Sequence, residues 1–399
     1  MKKTVAIIGG GASSLLLSAS LDTDLFDVSI YEKNKTLGRK FLVAGDGGFN
    51  LTHSEKEELF IIKYLPPHFL NDHFSLFNNI HLREWLNKLG IETYIGSSGR
   101  IFPIKTTKPI DVLNAFINKI KEKKVLIKTQ HEWKGWQQND LLFKINNEEL
   151  IVKSDLVIFA LGGGSWKITG SDGNWVNYFK EKKINVIPFE ASNCSFKINW
   201  KNDFIKSAAG QSLKNVMIKC DDIERKGELV ITEFGIEGGA IYALSERIRK
   251  QLSINNTALV YIDLKPQLSI IQIKSKLINR GNNSLTKQLS TKLSMNSTQI
   301  ALLKNSLSKE DFINIDTLCA SIKKLPIVLT GIAPIDEAIS TIGGIALAEI
   351  DINFELKILP NHFVIGEMLD WDAPTGGYLL QGCFTMAHAL AMHLNKNER

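Results

Sequence analysis

The chain has 399 residues, is 44% apolar and 23% charged, and carries a formal net charge of +6. That length accommodates two or three domains and a sizeable core, and no apolar run approaches the roughly 18 to 20 residues that span a bilayer, so no membrane partner is expected. Four cysteines (Cys194, Cys220, Cys319 and Cys383) lie far apart with no C-x-x-C, which argues against a zinc site and a dithiol redox enzyme and suits a reducing cytoplasm. The basic excess is mild. Lysines gather at Lys121, Lys123, Lys124 and Lys128 and at Lys180, Lys182 and Lys183. Such groups are ordinarily solvated faces, and they leave a nucleic-acid footprint open without requiring one.

In chain order, an apolar strand, Val5 to Ile8, runs into Gly9-x-Gly11, and an apolar helical run from Ala12 through Ala19 follows. The next strand, Val28 to Tyr31, ends at Glu32. This is the order of a dinucleotide-binding βαβ unit, with an acid about twenty residues after the glycines. Gly9 serves the tight turn, and Gly11 lets the backbone approach a pyrophosphate. The N–H groups of Ala12, Ser13 and Ser14 open the helix toward it. Ser14 stands where the third glycine of the fingerprint is usual. One alternative is an ordinary strand–turn–helix with a glycine-rich turn; a second is a secretory leader, from Lys2-Lys3, the apolar stretch and Ser18-Ala-Ser20, but three consecutive glycines break the apolar core a leader needs.

Further on, β-like runs at Val125–Lys128 and Leu141–Ile145 flank the turn-forming Asn139-Asp140. A strand over Asp155–Leu161 then empties into Gly162-Gly-Gly164. From about Phe189 to Lys265 the pattern alternates, which predicts an antiparallel sheet or barrel. Pro266 opens a Leu/Ile pattern at helical spacing that runs to Ile322. Near the C-terminus a strand at His362–Ile365 leads to Gly366-Glu367 and Asp370. Thr375 is then a candidate N-cap for a helix from Gly376-Gly377 to about Leu394. No internal repeat is present. The predicted fold class is α/β, with a Rossmann-like cofactor domain built from both chain ends (1–188 and 334–399). The expected insertions are a β-rich substrate domain (189–265 and 323–333) and a helical subdomain (266–322).

Three glycine loops at strand ends imply more together than each does alone. The first suits a pyrophosphate and Glu32 a ribose. Glu367 or Asp370 suits a polyhydroxy chain, and a helix opened by Gly376-Gly377 aims N–H groups at a heterocycle that gains negative charge on reduction. A flavin adenine dinucleotide uses all four, whereas NAD alone would not use the last two.

With those segments, the chain resembles the BaiN/RdsA group of NAD(P)/FAD-dependent flavoproteins, within the two-dinucleotide-binding-domain flavoprotein superfamily. The resemblance spans nearly the whole chain. Its carriers are Val5–Ser14, Leu37–Phe41 with Ala44–His53, Gly99–Pro103, Ala160–Gly163 with Thr169–Gly173, Thr232–Gly235, Ser340–Ile345, and Gly366–Asp370 with Thr375–Tyr378. It implies bound FAD, a Rossmann-like FAD domain with an inserted β-barrel and helical region, and transient use of NADH or NADPH. It also implies hydride transfer to a conjugated C=C, as in a steroid enone or a uracil of ribosomal RNA. The expected cofactor residues are Gly9, Gly11, Ala12, Ser13, Ser14, Glu32, Lys33, Arg39, Lys40, Ala160, Gly162, Gly163, Gly366, Glu367, Asp370, Gly376, Gly377 and Tyr378.

The chain departs from the family pattern twice. The family loop Gly-Gly-Gly-Arg-Cys-Asn reads Gly45-Asp-Gly-Gly-Phe-Asn50 here, so Gly48 and Phe49 replace the arginine and the cysteine. Glu233 stands at the histidine of Thr-His-x-Gly-x-Ser-Gly. The proton donor is therefore open. His53 and Tyr378 are the catalytic candidates, with structural roles as the alternative for each, and Arg100 is a candidate contact to substrate or flavin carbonyls. Glu233 and Glu237 are candidate substrate readers, and Trp166, beside a glycine loop, is the tryptophan suited to base stacking. No metal site is expected. Two rival functions use the same scaffold: an FAD-dependent oxidase or dehydrogenase of a small metabolite, and a flavin-bound RNA-binding or assembly factor with little turnover. RNA and small molecules thus both remain as partners, and oligomeric state is not encoded in any motif.

Overall fold

The computed structural model describes residues 1–43, 49–278 and 283–398. The chain forms two compact units, Met1–Glu190 with Ser340–Arg399, and Ala191–Ile339.

At the centre of the first unit lies β1 (Lys3–Ile8), whose last four residues are buried because both faces of the sheet are covered. It pairs in parallel with β2 (Phe26–Glu32) on one side, Ile8 opposite Tyr31. On the other side it pairs with the Leu156–Phe159 strand, Ile8 opposite Phe159. The His362–Val364 strand and the Leu126–Thr129 strand complete the five-stranded parallel sheet at its two edges. Helix α1 (Ala12–Ser20) crosses from β1 to β2, buried from Ser13 to Ala19. Strand order reverses at β1, so the carboxyl ends of β1 and the Leu156–Phe159 strand border the crevice where ligands of open α/β sheets bind. The C-terminal helix α4 (Tyr378–Asn397) is buried at Phe384, Met386, Ala387 and Leu390 among others.

Around this frame sit α2 (Arg39–Val43), an amphipathic α3 (Pro109–Glu122) that buries Val112, Leu113, Phe116 and Ile120, and a small antiparallel sheet. In that sheet β3 (Thr52–His53) pairs with the Arg100–Pro103 strand, His53 opposite Arg100. A separate meander of Glu132–Gln137, Asp140–Ile145 and Glu148–Val152 follows. Only its middle strand is anticipated by the apolar run at Leu141–Ile145. The third is exposed over Glu148–Ile151 and so shows no burial alternation. Several of the clustered lysines pack against protein. Lys123 Nζ donates to Leu21 O at 2.7 Å, and Lys128 and Lys182 lie over the rings of Tyr31 and Trp136.

In the second unit the antiparallel sheet ends at one edge with Leu325–Leu329 and at the other with Gly331–Ile332. These two strands are separated only by Thr330, so one bent segment pairs at both edges and closes the sheet into a barrel. The helices between Ile270 and Lys323 bury Ile273, Leu277, Leu289, Leu302 and Ile322 in the same core as barrel residues Ile218, Leu229 and Val260. These helices and the barrel thus share one core. Among the described residues, no helix is long and apolar enough to cross a membrane, and no group of three His, Cys, Asp or Glu could hold a metal.

The four cysteines are free and buried. Burial pushes the thiols of Cys383 and Cys220 up, to about 12 and about 11. A thiol-disulfide reagent at pH 8 is expected to label none of the four until denaturant is added. Rapid labelling of native protein would contradict this placement.

Candidate functional site

The first glycine loop is built for close approach. Gly9 has φ +101°, and a Cβ there would lie 2.4 Å from Ala160 O, so the ends of the two central strands touch at this residue. At Gly11 a Cβ would meet nothing within 4 Å: the backbone faces open space. Helix α1 has no side-chain cap at its N-terminus and no acid in its first turn. Its leading N–H groups and positive dipole end are thus left for an anion. Ser14, at the third fingerprint position, is fully buried and donates its Oγ–H to Gly9 O at 2.6 Å. The hydroxyl folds onto the turn it flanks, which explains how serine replaces glycine without opening the helix–strand contact.

Glu32 ends β2 buried, and its carboxylate is already employed. Oε2 accepts Gly10 N–H at 2.8 Å, and Oε1 accepts Asn34 N–H at 2.8 Å and Asn34 Nδ2 at 2.7 Å. The expected cations around it also have protein partners. Lys33 pairs with Asp172 at 2.7 Å, and Arg39 donates to Asn34 Oδ1 and Ile168 O. Lys40 Nζ donates to Ser165 Oγ at 3.1 Å and to Glu367 Oε2 at 2.9 Å, so two residues expected on different parts of the cofactor meet each other.

The second glycine loop packs by the same rule. A Cβ on Gly163 would lie 2.2 Å from Thr341 Oγ1, and Gly162 O accepts Trp175 Nε1–H at 2.9 Å. Trp166 adopts a left-handed backbone, φ 61°, at the start of the Lys167–Thr169 turn. In the third loop, a Cβ on Gly366 would press on Ser13 Oγ at 2.6 Å, which puts that loop against the start of α1. Asp370 Oδ1 accepts Gly343 N–H at 3.0 Å.

At the mouth of α4 the cap position is Gly377, φ +102°, and not Thr375, and it makes no side-chain cap bond. A Cβ at Gly377 would lie 2.4 Å from the Thr52 carbonyl carbon, so the glycine is what lets α4 abut β3. This contact brings His53 and Tyr378 together with their rings stacked at 5.2 Å. Glu55 N–H donates to His53 Nδ1 at 3.2 Å, which leaves the ring proton on Nε2, 3.0 Å from Ser98 O. Both nitrogens are thus in contact with backbone groups. Tyr378 donates its Oη–H to Glu55 Oε2 at 2.7 Å. Arg100 lies beside the Gly376 turn, its Nε 3.5 Å from where a Cβ of Gly376 would be. Among the described residues its guanidinium has no protein acceptor.

Behind this cluster is a buried polar network that no motif signalled. Thr52 Oγ1 donates to Gln381 Oε1, and Gln381 Nε2 donates to Phe77 O and Thr385 Oγ1. Thr52, Gln381 and Thr385 are all fully buried. Its one sequence signal is a Gln and a Thr on the apolar face of the last helix. Gln381→Leu is expected to strand the Thr52 hydroxyl and lower stability by about 1 to 3 kcal/mol, read as a lower Tm. An unchanged Tm would contradict the network's role.

Phe49, where the family cysteine would stand, is buried with its ring edge-on to Phe41 at 4.8 Å. Gly48 lies outside the described residues. In the second unit Glu233 is exposed. Glu237 is half-buried, its carboxyl held above the usual range by burial first and by the neighbouring Glu337 carboxylate second.

A family model described as the HI0933-like protein Rossmann domain matches residues 3–393. The 3-dehydro-bile acid delta(4,6)-reductase of Clostridium scindens is 24% identical over 394 residues, covering 94% of this chain and 95% of that protein. The ribosomal RNA dihydrouridine synthase of Haemophilus influenzae is 24% identical over 411 residues, covering 98% of each. Among solved structures, the 3-ketosteroid-delta4-(5alpha)-dehydrogenase of Rhodococcus jostii RHA1 superposes with a TM-score of 0.53. That match is 11% identical and covers 98% of this chain and 96% of the other, a likeness of fold.

Proposed function

The chain belongs to the HI0933-like family and is a flavoprotein oxidoreductase, and from that premise we propose that it binds FAD, is reduced by NADH or NADPH, and reduces a C=C conjugated to a carbonyl. The carrying observation is the uncapped α1 N-terminus at Gly11, exposed and with no acid in its first turn, at the crevice between β1 and the Leu156–Phe159 strand. These residues fit a dinucleotide: N–H groups of Gly11 to Ser14 for a pyrophosphate, and the lone pair left on Glu32 Oε2 for a ribose hydroxyl. When bound, FAD supplies hydride-transfer chemistry.

The residues of the chain do the rest. Arg100, whose guanidinium has no acceptor among the described residues, polarises the substrate carbonyl, which drains charge from the carbon that accepts hydride. Tyr378 Oη–H delivers the proton to the neighbouring carbon when the substrate takes the place of Glu55 as its acceptor. His53 and Glu55 hold that ring in register. Lys40 and Glu367, paired at 2.9 Å, would hold the ribityl chain of FAD. An enone and a uracil present the same conjugated carbonyl. The names of the two relatives support both as substrate classes, and the net charge of +6 favours the RNA form. Free, buried cysteines support a cytoplasmic setting.

The test is anaerobic mixing with NADH or NADPH, followed by a steroid enone or unmodified ribosomal RNA as oxidant. Reduction by the nicotinamide and reoxidation by one oxidant is the expected result. Peroxide formation from a small metabolite without nicotinamide would replace this reading with an oxidase. Salt-sensitive RNA binding with no nicotinamide oxidation would replace it with an RNA-binding factor. Arg100→Met is expected to cut the reoxidation rate about 100-fold or more while leaving flavin content unchanged. Retention of the rate would remove Arg100 from the reaction.

A further inference from the structure

We propose that Asn34, a residue outside every motif described above, is the positioning residue of the adenosine end of the cofactor slot. It fixes Glu32 so that only one carboxylate oxygen is offered to the ribose. The inference rests on the FAD reading.

Four chain segments converge on this residue. Asn34 N–H and Nδ2–H both donate to Glu32 Oε1, at 2.8 and 2.7 Å, and fill the two lone pairs of that oxygen. Oε2 accepts Gly10 N–H and keeps one lone pair. Asn34 Oδ1 accepts Arg39 Nη1–H at 2.7 Å, and the same guanidinium donates through Nη2 to Ile168 O at 2.9 Å. Asn34 O accepts Gln130 N–H at 3.1 Å. The 167–170 turn closes over the group: a Cβ on Gly170, φ +109°, would lie 2.6 Å from Asn34 Nδ2.

An amide is the side chain that satisfies this geometry. It must donate to a carboxylate and accept from a guanidinium at once, on a stem short enough to reach Glu32 two residues back. Aspartate would set a second carboxylate against Glu32, and alanine would leave Oε1 only the backbone N–H of residue 34 and remove the acceptor of Arg39 Nη1. In both cases Glu32 loses the side-chain contact that closes Oε1, while the groups that would hold the flavin ring and the ribityl chain are untouched. Asn34 therefore acts on adenosine recognition alone.

The test compares FAD with FMN, which lacks the adenosine, by quenching of flavin fluorescence on titration of apoprotein with each. Asn34→Ala is expected to weaken FAD about tenfold and to leave FMN within about twofold. Asn34→Asp, nearly isosteric and the variant to use should the alanine form not fold, is expected to weaken FAD at least as much through like-charge repulsion. Thermal unfolding of each apoprotein verifies the fold. FAD affinity within about twofold of wild type in the folded variants would overturn the inference and leave the FAD reading standing. So would a parallel loss of FMN, which marks a general distortion. A wild-type apoprotein that binds neither flavin would overturn the FAD reading and the inference with it.

Discussion

Gly9→Ala is expected to yield a protein that no longer retains flavin and that unfolds at markedly lower temperature. Two independent costs meet at this residue. Its φ of +101° is a conformation that L side chains rarely adopt, and the added methyl would lie 2.4 Å from Ala160 O and 2.9 Å from Ala160 C. Those atoms are backbone at the end of a central buried strand, and no rotamer change can move them. Conformational strain of about 1 to 2 kcal/mol and overpacking of about 1 to 3 kcal/mol sum to a loss comparable to much of a domain's net stability. Relief would require separating β1 from the Leu156–Phe159 strand at the crevice, and this is the motion that spoils the pyrophosphate cradle. Gly11→Ala is the matched control. Its Cβ meets no protein atom, so its Tm is expected to stay near wild type while flavin retention falls. Equal Tm values for the Gly9 and Gly11 variants would contradict the packing described here.

Glu32→Ala is expected to lose about 2 to 4 kcal/mol of stability together with flavin affinity. The carboxylate is buried and accepts three protein donors: Gly10 N–H, Asn34 N–H and Asn34 Nδ2–H. Truncation leaves the Gly10 N–H, which Glu32 Oε2 satisfies in a buried setting, without that acceptor and frees the loop that shapes the α1 N-terminus. Glu32→Gln separates shape from charge. Whichever way the amide is turned, its NH₂ faces an N–H donor, at Gly10 or at Asn34, so one contact becomes repulsive. An intermediate loss is expected, smaller than that of alanine. Chemical denaturation of the two apoproteins beside wild type checks both statements, and wild-type stability in Glu32→Ala would refute them.

The parts of this architecture that rest on local chain chemistry were legible in the sequence. The βαβ unit from Val5 to Glu32 shows itself because a buried strand, a glycine turn and an apolar helix are each encoded within a few residues. The helical region near Pro266 to Ile322 shows itself through its 3.6-residue period. Both glycine loops downstream of strands could be read for the same reason. What could not be read was pairing across the chain. Thr52 and Gln381 are more than three hundred residues apart, and Glu55 carries no signal that it meets Tyr378. Nothing in the spacing distinguishes a histidine that offers a proton from one whose nitrogens are both held by backbone, as at His53. Thr375 was the natural N-cap by residue type. The close approach of α4 to β3 requires a glycine at the cap instead, and that contact is tertiary. Closure of the barrel by one bent segment at Thr330 likewise depends on pairing at both edges. Lys40 and Glu367 were each readable as cofactor residues, but their mutual ion pair was not.

The most direct measurement is the visible spectrum of the purified protein with its flavin extracted and quantified. Absorption near about 370 and 450 nm with one FAD per chain, retained on gel filtration or restored by adding FAD to apoprotein, is the predicted result. A colourless chain that neither carries nor takes up FAD, with the fold intact, would contradict it, and the three glycine loops would then serve another ligand.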